Sequence, residues 1–415
     1  MSKEGTVRHR LLDQAFIRYA VVVLLGTGAV RPSVVLQPTQ PRLAAQETDE
    51  FDRLRREGFD ALYNMDYTAA RDRFESLGKL APRHPAAQLY QATTLWLEIL
   101  NRQRRLRSNL FSGNSFFAET EEKVDPATDK RLRAFANAAI GRSQQALAAH
   151  PNDTDALYLQ GMAHGLIASY EATVTRSFFS ALRNGLASVR LHEQVLKLDP
   201  EYVDARLTTG TYNYIMGSLP LYVKILAALG GHRGSRERGL DAIRTVAEHG
   251  RWANDDARVA LLTFYVRERR LADALQTVSV LAQKYPQNYV FQLERAGLLI
   301  ELGRGAESRR IFEALLDNPS RSSVADLVHY QYAEALAAQG RRDEACRHFM
   351  AAANTPNAAS ELEARATLRA GQMSDLLGRR DAAIQHYRHV LAIPNVYDSH
   401  EQARRGLEQA YSEAR

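Results

Sequence analysis

Cysteine is all but missing from this chain. Cys346 stands alone, so no internal disulfide framework supports the fold. It follows Ala345, a small residue in step with a repeat described below, and reads as a packed or half-buried side chain. Lysine is scarce too. Only Lys3, Lys79, Lys123, Lys130, Lys197, Lys224 and Lys284 occur, so the net charge of +6 is carried almost wholly by arginine. Such an excess marks a nucleic-acid surface only where it clusters on one face. The densest run, Arg102, Arg104, Arg105 and Arg107, reads as the end of one helix, where cations complement the helix dipole. Metal-ligand spacing is absent, with no His-x-x-x-His or Cys-x-x-Cys pair. There is no Gly-x-Ser-x-Gly elbow and no phosphate-binding Gly-Lys-Ser/Thr loop. His150, His192, His249 and His348 read as solvated or helix-capping residues, Glu121-Glu122 as solvated, and Asp255-Asp256 as the capped start of an apolar helix. These absences predict a protein that is not an enzyme and carries no metal or cofactor.

Long apolar runs are also rare, and the one near the N-terminus is short. Ala20–Val30 (AVVVLLGTGAV) has the length of a signal-peptide core and is too short to span a bilayer. Lys3, Arg8, Arg10 and Arg18 precede it, and Ala29 offers a cleavage site. Residues 1–30 therefore read as a signal peptide, and 31–49, with three prolines, as a flexible linker. No cysteine follows the apolar stretch, so a lipoprotein anchor is excluded. The predicted location is periplasmic or secreted; left uncleaved, the segment would be a weak membrane tether or leave the protein in the cytoplasm.

What is present is a spacing. Residues 51–84 carry Gly58, Ala70, Phe74 and Pro82; Gly371, Ala383 and Tyr387 repeat the first two intervals, and Ala345 and Phe349 repeat the interval of four. A recurring unit of about 34 residues signals stacked helical hairpins. Small residues fit where two helices cross, a large one fills the gap to the next hairpin, and proline ends the second helix. Gly161 and Gly210 fall at the same eighth position after Asp-rich turns, and 255–288, 289–322, 326–359 and 364–397 continue the series. The pattern resembles the tetratricopeptide (TPR) repeat family over about four-fifths of the chain. The resemblance implies an all-α, right-handed superhelical solenoid of about eight partly degenerate repeats. We divide it into an N-terminal array over 50–250 and a C-terminal array over 251–415, closed by a polar capping helix from His400. A monomer is expected.

Three segments break the spacing. Residues 106–130 insert a polar loop carrying Phe111, Phe116 and Phe117. Residues 165–198 read as one long helix, with Tyr170, Phe178 and Phe179 on its inner side. Residues 217–236 insert a Leu-Pro turn, an apolar helix and a Gly/Arg turn; with the aromatic helix before them, 210–240 resemble the Iml2 and tetratricopeptide-39 group.

In the family this chain resembles, the first helix of each repeat lines a concave groove near its second, fifth, ninth and twelfth positions. Carried over, that register gives Tyr158 and Met162, then Leu207, Thr211 and Tyr214, then Val259 and Thr263, then Tyr330 and Glu334, then Arg365, Gln372 and Asp375. The mixture is aromatic and polar, suited to a peptide or partner helix. The first expectation is thus a protein-interaction scaffold of the bacterial envelope. One alternative is binding of an anionic polymer or nucleic acid through arginine-rich helix ends, though export argues against an intracellular nucleic-acid role. Another is a small-ligand pocket at 210–240 using Tyr212, Tyr214, Lys224 and His232.

Overall fold

The computed structural model describes residues 43, 48–106, 124–219, 224, 234–356, 358–396 and 398–413. The signal-peptide and linker segments lie outside these apart from Leu43, Thr48 and Asp49, as do Phe111, Phe116, Phe117, Pro220 and His232. The regular elements among the described residues are all helical, seventeen α-helices in chain order with short π and 3-10 turns. The chain is an all-α, TPR-like array of helical hairpins, and it gathers into two compact units.

The first unit combines the described residues up to Leu100 with those from Lys123 to Leu261. It holds α1 (Asp49–Tyr63), α2 (Tyr67–Leu80), α3 (Ala86–Arg102, to Leu100), α4 (Pro126–Ala149), α5 (Thr154–Tyr170), α6 (Phe178–Leu198), α7 (Arg206–Ser218), α8 (Arg236–His249) and the start of α9 (Asn254–Arg267). The second takes the rest of α9, then α10 (Leu271–Lys284), α11 (Tyr289–Glu301), α12 (Gly305–Leu316), α13 (Ala325–Ala338), α14 (Arg342–Ala353), α15 (Ser360–Leu376), α16 (Arg380–Ala392) and α17 (Ser399–Glu408).

The repeat spacing is a packing rule. A methyl group added at Gly58 would sit 2.3 Å from the Phe74 ring, and one at Gly371 would sit 2.7 Å from Tyr387. Both aromatics are fully buried, each contributing roughly 2–3 kcal/mol of hydrophobic free energy. Glycine lets the partner helix approach closely enough to bury the ring. At Gly161 the same place is taken by His192, whose Nε2 would lie 2.5 Å from an added methyl. His192 is therefore a core residue and not the solvated or capping histidine read from sequence: it is fully buried and stacks on Tyr158 at 5.0 Å.

Aspartates join the hairpins. Asp153 caps α5 by accepting from the Ala156 N–H at 3.0 Å, and its other oxygen accepts from the Leu43 N–H at 3.0 Å. Asp204 accepts from the backbone N–H groups of Arg251, Trp252 and Ala253, the last at 3.0 Å. In the second unit Asp326 accepts from the Leu327 and Ala359 N–H groups. Buried carboxylates so surrounded satisfy helix-end donors that would otherwise be orphaned.

Two sequence boundaries move. The loop expected to run to Lys130 ends earlier, because Asp125 caps α4 and Pro126 opens it; proline at a first helical position needs no N–H partner. The long helix expected over 165–198 is broken. After Tyr170 comes a π-turn, Glu171–Thr175, then Arg176 with φ of 57°. Glu171 is buried there and accepts from Arg133, Ser180 and Asn184. Tyr170 packs inside, whereas Phe179 is 77% exposed.

Candidate binding site

The inner faces of the first unit line a half-open cavity of about 450 Å³. Phe59, Leu62 and Tyr63 of α1 meet Tyr90, Trp96 and Leu97 of α3 on one side. Met162 and Leu166 of α5, Leu182 and Val189 of α6, and Leu207, Thr211 and Ile215 of α7 form the rest of the wall. The helices converge because their small residues allow it: Gly165 and Ala168 on α5 face Ser188 and Gly185 on α6. The wall is overwhelmingly apolar. Trp96 turns its indole N–H away to the Thr173 hydroxyl at 3.0 Å, leaving its rings to the cavity.

One carboxyl interrupts this surface. Asp256, in the first turn of α9, lines the cavity and a smaller neighbouring one of about 30 Å³. It is half-buried, at the wall shared by the two cavities. Its Oδ1 accepts from the Tyr63 hydroxyl in a very short hydrogen bond. Burial pushes the carboxyl up to about 6, the Tyr63 bond opposes this, and the nearby Asp255 and Asp204 carboxylates add to it. Among the described residues no lysine or arginine forms an ion pair with it. Asp255 beside it is different: it pairs with Arg258 at 2.6 Å. The smaller cavity is bounded by Arg55, Asp155, Tyr158, Tyr202 and Trp252. There Arg55 stacks 3.5 Å over the Trp252 ring, and Tyr202 donates to Asp155 at 2.7 Å.

The expected groove residues divide. Met162, Leu207 and Thr211 come together on the cavity wall. Tyr158 is buried beside the smaller cavity, its carbonyl accepting from His192 at 3.0 Å. Tyr214 is fully buried and does not reach the cavity; its neighbour Tyr212 does. Val259 and Thr263 are half-buried along α9. In the second unit Tyr330, Glu334, Arg365 and Gln372 are engaged by neighbouring side chains. Arg365 lies over the Tyr330 ring at 5.2 Å, Arg369 grips Glu334 through two bonds of 2.9 Å, and Gln372 joins Arg369 to Gln402. Asp375 is enclosed, accepting from the Tyr387 hydroxyl, Arg380 and the Tyr411 N–H. It fastens the C-terminal segment over the last hairpin and presents nothing to a groove.

The arginine run after α3 is also absorbed. Only Arg102 lies in the last turn of that helix. Arg104, with φ of 54°, reaches the Ser323 carbonyl at 2.5 Å and Asp326 at 3.3 Å. Arg105 is buried, and Arg107 lies outside the described residues. The run is thus not the end of one helix, because the chain leaves the helix after Arg102. Cys346 is half-buried, its Sγ 3.6 Å from the Ser374 hydroxyl. His348 meets His329 through their Nδ1 atoms at 2.9 Å. Among the described residues no three His, Cys, Asp or Glu side chains are grouped to hold a metal ion, and no helix is long and apolar enough to cross a membrane.

Asp256 and Tyr63 were missed at the sequence level, yet one signal was present. The register that places Val259 and Thr263 at the fifth and ninth positions puts Asp256 at the second, a lining position. Reading Asp255-Asp256 as a paired cap concealed it.

Hairpins with this glycine–aromatic packing define a TPR-like helical-repeat protein. No protein-family model matches the chain, and no curated protein matches it. Solved structures similar to it include yeast Tom70, at 10% identity over 88% of this chain and 89% of that one, with a TM-score of 0.39. A tetratricopeptide repeat protein from Parabacteroides merdae is similar at 12% identity over 78% and 99%, with a TM-score of 0.31. A human IFIT1 dimer with PPP-AAAA is similar at 12% identity over 83% and 95%, with a TM-score of 0.32. For the narrower likeness of 210–240 to the Iml2 group, residues 220–223 and 225–233 lie outside those described.

Proposed function

We propose that the protein is a non-enzymatic binding scaffold and that its first unit encloses an apolar guest. The observation that supports this is the cavity of about 450 Å³. It falls within the range of roughly 300–1,000 Å³ occupied by ligand pockets, which are likewise mostly apolar with few polar groups. The cavity is half-open, so a guest can enter it, and six helices of the fold contribute to its wall. The partner expected from sequence, a peptide or helix, would supply apolar side chains as that guest. Export to the periplasm, by cleavage after Ala29, belongs to the same proposal and would place the partner in the envelope.

The test uses a neutral apolar fluorophore, Nile red, titrated into the full chain. Saturable one-site binding is expected, with Thr211→Phe abolishing it by filling the cavity while circular dichroism stays unchanged. Non-saturable binding, or equal binding by a folded Thr211→Phe variant, would refute the assignment.

A further inference from the structure

Asp256 is a carboxyl where an apolar cavity has no structural need of one. Replacing it with a hydrophobic residue would remove a desolvation cost, since a buried charge without a partner is unfavourable. Its only hydrogen bond within the described protein comes from the Tyr63 hydroxyl to Oδ1. Oδ2 receives no donor from these residues. The nearest cation along the smaller cavity, Arg55, is turned toward the Trp252 ring and Asp52 instead. The carboxylates around Asp256 add negative potential: Asp204 is spent on backbone N–H groups and Asp255 on Arg258.

From this charge complementarity we infer that the cavity takes a small amphipathic amine, its hydrocarbon body against the α3, α5, α6 and α7 walls and its ammonium on Asp256. This deepens the binding-scaffold reading and rests on it. An ammonium supplies what the site lacks, a cationic donor for Oδ2, and a charge-assisted bond of that kind is about twice as strong as a neutral one. A carboxylate ligand would meet like charge beside a largely apolar wall. An alcohol would make only the weaker neutral bond. The upward shift of Asp256 toward 6 fits a group still awaiting its counter-charge.

The experiment compares dodecylamine, dodecanol and dodecanoate, each below its micelle concentration, by calorimetry on the full chain. Quenching of Trp96 on the cavity wall gives a second readout. The amine is expected to bind at least about tenfold more tightly than the alcohol or the acid, as one charge-assisted hydrogen bond implies. Asp256→Asn keeps the shape and the Tyr63 contact; it should leave alcohol binding in place and reduce the amine preference to less than about threefold. Equal binding of amine and alcohol, tighter binding of the acid, or an intact amine preference in a folded Asp256→Asn protein would each overturn the assignment. So would tight binding of a lysine-containing apolar peptide with no binding of the free amine. If Nile red saturates the cavity while no alkyl amine enters, the ligand class fails and the scaffold reading survives; if neither binds, both fail.

Discussion

At the scale of single residues, close packing decides more than chemistry does. Gly161 is the clearest case. Its eighth-position register is visible in sequence, but the reason is the His192 ring, which is fully buried and held by the Tyr158 carbonyl. An added methyl 2.5 Å from Nε2 has no room, because the ring cannot yield without losing that bond. Gly161→Ala should therefore cost about 1–3 kcal/mol, the usual penalty of overpacking, read as a lower urea midpoint with unchanged slope. The same histidine makes stability pH-dependent. Burial pushes His192 down to about 4, opposed by its bond to the Tyr158 carbonyl; burial, then Arg55 and Arg142, push His84 down to about 3. Both folded values lie below the ordinary 6.5, so the unfolded chain binds the extra protons. The stability from keeping these rings neutral is full above 6.5 and is lost as pH falls through 6.5 toward 4 and 3. Urea midpoints from about pH 7.5 to about pH 4.5 should show this fall, and His192→Gln should flatten it by roughly 1–3 kcal/mol.

At the scale of elements, the junctions between helices carry the specificity. Asp204 holds the turn between α8 and α9 through three backbone N–H groups. That turn sets where α9 starts, and so where Asp256 enters the cavity. Asp204→Ala should cost about 2–4 kcal/mol by leaving these donors and the buried site unsatisfied. It should also weaken Nile red binding more than Asp241→Ala, a change on the exposed face of α8. An Asp204→Ala protein as stable as wild type would show that the turn is held by other means. The π-turn at Glu171–Thr175 was illegible for a related reason. A helix of good local propensity runs through it in sequence, and only the partners of Glu171 on α4 and α6 make the break favourable.

At the scale of the molecule, the two compact units differ in what they leave open. In the second, the polar residues expected in a groove are engaged with one another, from Arg369–Glu334 to Asp375–Tyr387. In the first, apolar faces meet around a space. The arginine excess does not collect into a free patch after α3, since Arg104 is committed to Asp326. A prediction on compartment belongs here: mass spectrometry of the protein from fractionated cells should find an N-terminus at Val30. An intact Met1 in the cytoplasmic fraction would remove the envelope from the proposed function.

The sequence alone determined the class of fold, because the constraint is local and periodic. A hairpin crossing admits only small residues, so Gly58 with Phe74 and Gly371 with Tyr387 declare it at fixed spacing. It also brought three wall residues, Met162, Leu207 and Thr211, within reach. It did not place Asp256 against Tyr63, which is 193 positions away, nor separate Tyr212 on the wall from Tyr214 in the core. Those outcomes depend on how far successive helices rotate and where a turn such as 251–253 is anchored. A one-residue change in rotation turns a side chain by about 100°, and only the packed structure decides which side faces the cavity.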